Sequence, residues 1–164
     1  MHIAQLAPPT YNQVTKYNLA QLQPKIFELL KQAEFIALDA EFTGLGTNPG
    51  ATRVGDIQER YHNLCKLAKT HALIAFGLSI FINGAVKADE SRDREHSYTV
   101  HNFNFSMLNE TDYSVSPKSM IFLAENGLDL NQWILEGIPY TGGDRLVRME
   151  GRSIELLLVT IGYH

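Results

Sequence analysis

The residues most able to do chemistry in this sequence are two carboxylates that stand two positions apart, Asp39 and Glu41. They lie in the mostly apolar run Phe35–Phe42, which is closed by the turn-forming stretch Thr43–Gly46. Such a run predicts a buried strand followed by a turn. Residues two apart on a strand point to the same face of a sheet, so the two carboxylates are expected side by side. Two charges on one buried face need a partner, because burying them unpaired is costly.

A divalent cation is one such partner. Mg²⁺ is a hard ion that takes oxygen ligands from a few carboxylates and from phosphate groups. Two such ions can activate water and stabilise the leaving oxygen in phosphodiester cleavage. Gly44, just beyond the strand, would let a substrate approach the backbone closely. The alternatives are that both carboxylates are solvated or that they pair with Arg or Lys; acidic pairs two apart are common, so the spacing alone is a weak signal.

The elements that must position this strand follow from the hydrophobic pattern. Residues 1–17 form an extended lead-in, and Asn18 is the candidate N-cap of a helix that precedes Phe35. Pro24 leaves a second start open, because proline suits the first turn of a helix. The apolar residues of this helix recur at helical spacing: Leu19, Leu22, Ile26, Leu29, Leu30 and Ala33.

After the strand, Thr47–Gly55 reads as a loop with the turn signal Asn48-Pro49-Gly50. Asp56 is the candidate cap of a second helix that runs to about Thr70. Its apolar residues lie on one stripe, which predicts a packed face that includes the single cysteine: Ile57, Tyr61, Leu64, Cys65 and Ala68.

The second half of the chain predicts a hairpin and two helices. Leu73–Phe81 reads as a central strand and His96–Phe105 as a third strand, paired antiparallel with a long polar tip. Ser116 before Pro117 starts a helix that ends at Gly127. Asp129 caps a short helix through Glu136, and Ile154–Ile161 fits either a strand or a helix. The expected class is therefore α/β, a mixed sheet with flanking helices.

Composition limits the function classes. The chain has 164 residues, 45% hydrophobic and 20% charged, which suits one soluble domain with a core. The formal charge of −4 gives no overall basic surface, so an RNA partner would need a local basic groove. A single cysteine excludes an intramolecular disulfide and a cysteine zinc cluster. No run is apolar enough to span a membrane, and no secretory signal opens the sequence, so an intracellular, reducing compartment is expected.

The run Phe35–Gly46 resembles the first exonuclease motif of the deadenylase branch of the DEDD 3′→5′ exoribonucleases, whose fold is RNase H-like. Further motifs occur in the same order as in that family: Glu59-Arg60-Tyr61, Phe76-Gly77-Leu78, Phe103-Asn104-Phe105, Ser119–Leu123, Asn126-Gly127 and Gly137-Ile138-Pro139-Tyr140. Arg60-Tyr61 followed by Cys65, and the long helix before Phe35, are most similar to a nuclear member of the family. Several motifs in register are far more specific than any one of them.

The resemblance implies magnesium-dependent hydrolysis, with manganese as an alternative, at RNA 3′ ends or poly(A) tails. Asp39 and Glu41 match two of the four family carboxylates and would be both metal ligands and catalytic residues. Four residues match the family's loop beside the 3′-terminal nucleotide and would bind substrate: Phe42, Thr43, Gly44 and Leu45. Four aromatic residues of the other motifs are expected in the core: Phe76, Phe103, Phe105 and Phe122. The nuclear likeness predicts a nuclear location, with the cytoplasm as an alternative.

The sequence departs from the family after Tyr140. The family's second acidic motif, H-N-G-x-x-D, and its later acidic residue and histidine have no match, and 141–164 lacks family resemblance. We therefore predict the N-terminal part of the fold in 18–140, with an incomplete site. The alternative is a catalytically inactive, truncated nuclease that binds RNA or a partner protein. A third reading is an ordinary helix–sheet interaction domain, supported only by the acidic pI. A truncated sheet would expose apolar edge surface and favour homo-oligomers.

Overall fold

The computed structural model describes residues 10–45, 56–84 and 97–141. Within these ranges the elements are β1 (Tyr11–Val14), α1 (Leu19–Gln32), β2 (Phe35–Phe42), α2 (Ile57–Thr70), β3 (Leu73–Asn83), β4 (Tyr98–Asn109), α3 (Pro117–Glu125), α4 (Leu130–Glu136) and β5 (Ile138–Tyr140). The predicted mixed sheet with flanking helices is thus confirmed. The predicted loop at 47–55, the polar hairpin tip and the apolar stretch at 154–161 fall wholly or largely outside the described residues. None of the helices in the described ranges is long and apolar enough to cross a membrane.

The sheet has the strand order β1-β4-β3-β2, and β5 pairs with the end of β4. The central strand β3 is antiparallel to both neighbours, so the predicted hairpin is confirmed. Strand β1 runs parallel to β4, with Tyr11 opposite Asn102. Within the predicted lead-in, the described residues Tyr11–Val14 form a strand of the sheet that the sequence pattern did not indicate.

Helix α1 covers one face of the sheet. The largest fully buried side chains of this core come from α1, β1, β3 and β4: Val14, Ile26, Leu78, Ile80, Phe103 and Phe105. Each such side chain contributes about 1.5–3 kcal/mol on burial. The helix begins after Asn18, whose Oδ1 accepts a hydrogen bond from the backbone N–H of Thr15 at 2.8 Å. Pro24 lies inside the helix, so the alternative start near Pro24 is wrong.

Helices α3 and α4 pack as a second, smaller cluster around Ile74, Leu123 and Trp133. Ser116 and Asp129 cap them as predicted: Ser116 Oγ accepts from Ser119 N–H, and Asp129 accepts from the amides of two residues in the first turn of α4. Gly127 has a φ of 96°, the left-handed conformation expected where a helix ends. The indole Nε1 of Trp133 donates to the carbonyl oxygen of Met107 at 2.6 Å, which ties α4 to β4.

Three expectations about burial were wrong. Strand β2 was predicted to be buried, but Leu38 is 51% exposed because, among the described residues, β2 pairs only with β3. Helix α2 forms where predicted, yet it has no buried residue, and Ile57 is 85% exposed. Phe122 was predicted to lie in the core but is 59% exposed. In each case the side chain is apolar, but no described element packs over it.

Candidate active site

Strand β2 presents Asp39 and Glu41 on one face of the sheet, as the spacing predicted. Asp39 stands opposite Gly77 of β3, and Glu41 stands opposite Ala75. Asp39 is exposed and Glu41 is partly buried. The antiparallel pairing with β3 holds the strand, so the two carboxylates have a fixed relative position on a regular element.

The electrostatics of the pair favour a cation. Burial, with a smaller effect from the negative charge of Asp39, raises the pKa of Glu41 above its ordinary value of 4.5. Within the described part of the chain, neither carboxylate forms an ion pair or a side-chain hydrogen bond. The alternative in which Arg or Lys neutralises them therefore finds no support in these residues. A bound cation would relieve the repulsion between the two charges.

The donor set fits a hard divalent cation. Both side chains offer carboxylate oxygens, and Mg²⁺ is commonly held by one or two carboxylates with water and phosphate oxygens completing the shell. No group of three or more His, Cys, Asp or Glu side chains that could hold a metal occurs in the described ranges. The two carboxylates would therefore supply part of a coordination shell, with the rest coming from water and substrate.

The loop beyond β2 is held by internal contacts. Thr43 is fully buried. Its Oγ1 donates to the carbonyl of Ser114 at 2.7 Å and accepts from the N–H of Ala72 at 3.0 Å. Its backbone N–H donates to the carbonyl of Ala72, and its carbonyl accepts from Ser116 N–H at 2.8 Å. These four bonds join the end of β2 to the segments that precede β3 and α3.

Gly44 is required by its neighbours. A Cβ atom there would lie 2.7 Å from His71 Cδ2 and 2.9 Å from Ser116 Cβ. Of the four residues predicted to bind substrate, Thr43 and Gly44 are buried, Phe42 is partly buried, and only Leu45 is open, at 72% exposed. Contact between these residues and a substrate stays a prediction. The internal contacts already explain threonine and glycine at these two positions.

A groove of about 760 Å³ lies on the carboxylate face of the sheet and includes Asp39 and Glu41 in its wall. Its floor is built from small or polar side chains of β3 and β4: Ala75, Gly77, Ser79, Asn102, Asn104 and Ser106. Ser79 Oγ donates to Asn102 Oδ1 at 2.8 Å, and Asn104 Nδ2 donates to Gln13 Oε1 at 3.2 Å. Sequence reasoning missed this floor, although these residues alternate with the large apolar residues of the same strands.

The described residues form a mixed sheet whose two carboxylates lie beside an open groove and have no ion-pair partner in these ranges. This arrangement defines a class of protein, an α/β domain with a candidate divalent-cation site. Comparison with known proteins narrows this class. The family model described as CAF1 family ribonuclease matches residues 14–155. The chain belongs to the CAF1 family of ribonucleases, which are metal-dependent nucleases of the DEDD type. The match extends into the predicted lead-in and tail, and the predicted domain boundaries stay a prediction.

Individual relatives agree with this assignment. Poly(A)-specific ribonuclease PARN of Xenopus laevis is 29% identical over 140 residues, covering 78% of this chain and 21% of the relative. Poly(A)-specific ribonuclease PNLDC1 of Mus musculus is 29% identical over 130 residues, covering 73% of this chain and 23% of the relative. The chain thus spans about a fifth of the length of these relatives. The solved structure of S. pombe Pop2p in its Mg²⁺- and Mn²⁺-bound form has the same fold, with a TM-score of 0.57 and 22% identity over 92% of this chain and 52% of that one.

Proposed function

We propose that this chain acts as a deadenylase-type 3′→5′ exoribonuclease on RNA 3′ ends or poly(A) tails. The observation that carries the proposal is the pair Asp39 and Glu41, unpaired among the described residues, on one face of β2 and in the wall of an open groove. Membership of the CAF1 family and similarity to poly(A)-specific ribonucleases support poly(A) as the substrate class. A nuclear location, with the cytoplasm as an alternative, rests on the sequence resemblance and would be tested by imaging a fluorescent fusion.

Magnesium is the proposed cofactor, and manganese is the alternative. The Pop2p relative has a structure with both ions bound, which supports this choice. When bound, such ions activate water and stabilise the leaving oxygen. In this chain Asp39 and Glu41 would hold the ions through their carboxylate oxygens. Thr43 would keep the end of β2 in place through its hydrogen bonds to Ala72 and Ser114.

A second candidate function is binding without catalysis. It is favoured because the described residues bring only two carboxylates together, with no third ligand beside them. In that case the groove would bind RNA or a partner protein, and the carboxylates would take up metal weakly. The two candidates differ in whether the chain removes nucleotides or only retains the RNA.

The test uses the full 164-residue chain and a 5′-labelled oligoadenylate. Trimming from the 3′ end is followed in magnesium, in manganese and in EDTA. The variants are Asp39→Asn and Glu41→Gln, which remove charge at nearly constant size, with Asp112→Asn as the control because Asp112 is exposed and outside the groove. The melting temperature is measured with and without magnesium in parallel.

The exonuclease proposal expects metal-dependent trimming that both site variants abolish and the control keeps. It also expects magnesium to raise the melting temperature of the wild-type chain but not of Asp39→Asn, since a ligand that binds only the folded state stabilises it. RNA binding with no trimming in either metal would support the binding module instead. If there were neither trimming, nor RNA binding, nor stabilisation by metal, both candidates would be wrong.

A further inference from the structure

The outer edge of β2 is open among the described residues, because only β3 pairs with β2 there. The N–H of Gly84 donates to the carbonyl of Ser97 at 2.8 Å, and β3 keeps one register with β4. Even-numbered residues of β3 therefore bond to β4, and odd-numbered ones bond to β2. Odd numbers also face odd numbers between β2 and β3. The backbone N–H and C=O groups of Leu38 and Ala40 consequently point to the open edge.

This edge is apolar on one face of the sheet and acidic on the other. Leu38 is 51% exposed and Ala40 beside it is exposed, whereas Asp39 and Glu41 lie on the opposite face. An edge strand that exposes apolar side chains pairs readily with another chain unless charges protect it. The charges at this edge are the two carboxylates, and a cation between two copies of the edge would turn their repulsion into attraction.

The proposed metal site needs ligands that the described residues of one chain do not supply. No group of three or more ligating side chains occurs in these ranges. Mg²⁺ demands a nearly octahedral shell of oxygen atoms. A strand added at the open edge would place its side chains about 5 Å from Asp39 and Glu41, in the same rows. A second copy of β2 would bring two carboxylates on the same face, because antiparallel pairing about a two-fold axis keeps odd-numbered residues together.

We propose that two copies of this chain pair antiparallel along β2, about a two-fold axis at Ala40, and hold divalent cations between them. The inference rests on the proposed function and adds the partner that completes the metal site. In this register Asp39 stands opposite Glu41 of the second copy, in a non-hydrogen-bonded pair whose Cα atoms lie about 4.5 Å apart. On the other face Leu38 stands opposite Phe42 of the second copy, which covers apolar surface. Strand β2 is regular here, since the register shift beyond Glu41 adds its extra residue to β3.

The pairing creates two equivalent rows of carboxylates. Each row contains Asp39 of one copy and Glu41 of the other, and the rows lie about 7 Å apart along the strands. Each row can hold one cation between the two copies. Without cations, like charges stand directly opposite each other and oppose the pairing. The paired stretch is too short for a stable interface of its own, so self-association is expected only with a divalent cation.

The first test measures the mass of the full chain by sedimentation, at several protein concentrations, in magnesium, in manganese and in EDTA. The mass is expected to double in at least one of the two metals and to return to that of a single chain in EDTA. Asp39→Asn and Glu41→Gln should stay monomeric in metal. Asp112→Asn is the control, because Asp112 is exposed and outside the groove, and it should dimerise like wild type.

Crosslinking tests the register. Cys65→Ser removes the single cysteine of the sequence. In that background Ala40→Cys places two thiols opposite each other with Cα atoms about 5.5 Å apart, which a disulfide can join. Leu38→Cys is the matched control on the same edge, where the two thiols would be offset by about 14 Å. Oxidation with diamide should link Ala40→Cys in metal but not in EDTA, and should not link Leu38→Cys.

Mixing the two site variants tests whether the site is shared. Dimers of Asp39→Asn alone, or of Glu41→Gln alone, keep one carboxylate in each row. In a mixed dimer of the two variants, one row has lost both carboxylates and the other row keeps both. The mixture should therefore dimerise in metal although neither variant does so alone. A site contained in one chain cannot be rescued in this way. If either variant fails to fold, the Ala40→Cys crosslink decides.

Three results would overturn the shared site. They are a single-chain mass in both metals at every concentration, a crosslink at position 38 in place of position 40, and no rescue in the mixture. The first is also the result expected if the apolar stretch 154–161 of the same chain lies along this edge. Trimming of oligoadenylate separates this failure from that of the proposed function. A chain that trims RNA as a monomer keeps its function and loses only the shared site. A chain that dimerises and crosslinks as expected but never trims keeps the shared site and loses the hydrolytic function.

Discussion

Replacing Thr43 with valine separates two roles that this residue could have. The family resemblance implies that Thr43 binds substrate, whereas the structure shows its hydroxyl hydrogen-bonded to both Ser114 and Ala72. Valine has nearly the same shape and no hydroxyl. Thr43→Val therefore removes both hydrogen bonds while leaving the volume of the side chain unchanged, and its effect reports on the anchor itself.

The expected loss of stability follows from what is left behind. Ala72 is 1% exposed, so its N–H would lose its partner in a place that water barely reaches, at about 1–3 kcal/mol. Ser114 is exposed, so its carbonyl can bind water instead, and its lost bond costs about 0.5–1.5 kcal/mol. The sum is about 1.5–4.5 kcal/mol, which lowers the melting temperature of a chain of this size by about 3–18 °C.

Urea denaturation and thermal melting of wild type, Thr43→Val and Thr43→Ser measure this difference. Serine keeps the hydroxyl and loses one methyl group, at about 1 kcal/mol, so it is the matched control. Oligoadenylate trimming is followed on the same samples at a temperature where all three are folded. Equal stability of the valine and serine variants would refute the anchoring role. A raised KM at unchanged stability would show instead that Thr43 contacts the substrate.

Three further predictions concern single side chains. Because the pKa of Glu41 is raised in the folded state, its contribution to stability is fully present below pH 4.5 and is lost as the pH rises through the folded-state pKa. Glutamine does not titrate, so in EDTA Glu41→Gln should gain stability relative to wild type between pH 4 and pH 7. Urea denaturation at several pH values measures this difference. Trp133→Phe, which removes the 2.6 Å bond to Met107, should lose about 1–3 kcal/mol in the same assay. Burial raises the pKa of Tyr140 to about 12, so its hydroxyl is protonated at pH 7. Tyr140→Phe, which removes two hydrogen bonds to Leu73, should lose a similar amount of stability at pH 7. An unchanged stability of Trp133→Phe or of Tyr140→Phe would contradict the stabilising role of that side chain.

The elements that could be predicted from the sequence are those specified by nearby residues. Ser116 and Asp129 each accept a hydrogen bond from an amide two or three positions along, so a short stretch contains the whole signal for each helix start. Gly127 likewise marks the end of α3 by its own backbone conformation. The hairpin of β3 and β4 was predictable because both strands are long, carry regularly spaced apolar residues and follow each other in the chain.

Strand β1 could not be predicted in the same way, because the residues that make it a strand lie far along the chain. Tyr11 pairs with Asn102, and the Asn12 side chain donates to the carbonyl of the same Asn102 at 3.0 Å. Four residues without alternation carry no periodic signal of their own. Strand β5 is shorter still and depends equally on β4. Both strands form because β4 offers an edge, and a local pattern cannot reveal that edge.

The floor of the groove was missed for a different reason, since its signal is present in the sequence. In the middle of β3 and β4, over 75–79 and 102–106, the large apolar side chains belong to the core that α1 covers, and the residues between them are small or polar. Read only as apolar, Leu73–Phe81 indicates a strand buried on both faces. Read at period two, its middle residues indicate one packed face and one face of small residues, Ala75, Gly77 and Ser79, on the same side as Asp39. The carboxylates and their floor are therefore one feature, a sheet face kept free of bulk beside its charges.

The exposure of β2 follows from the same geometry and affects the chemistry of the pair. An apolar run shows that a strand can be buried, but burial itself requires a neighbouring strand or helix. Among the described residues, only β3 lies beside β2 in the sheet. Neighbouring strands lie about 5 Å apart, so any strand that paired with the other edge would bring its side chains into the same rows as Asp39 and Glu41. A carboxylate in these rows would add a third oxygen ligand to the proposed metal site, and a lysine would neutralise the two carboxylates instead. The residue type that stands beside Asp39 and Glu41 on such a strand would therefore decide between a nuclease and a binding module.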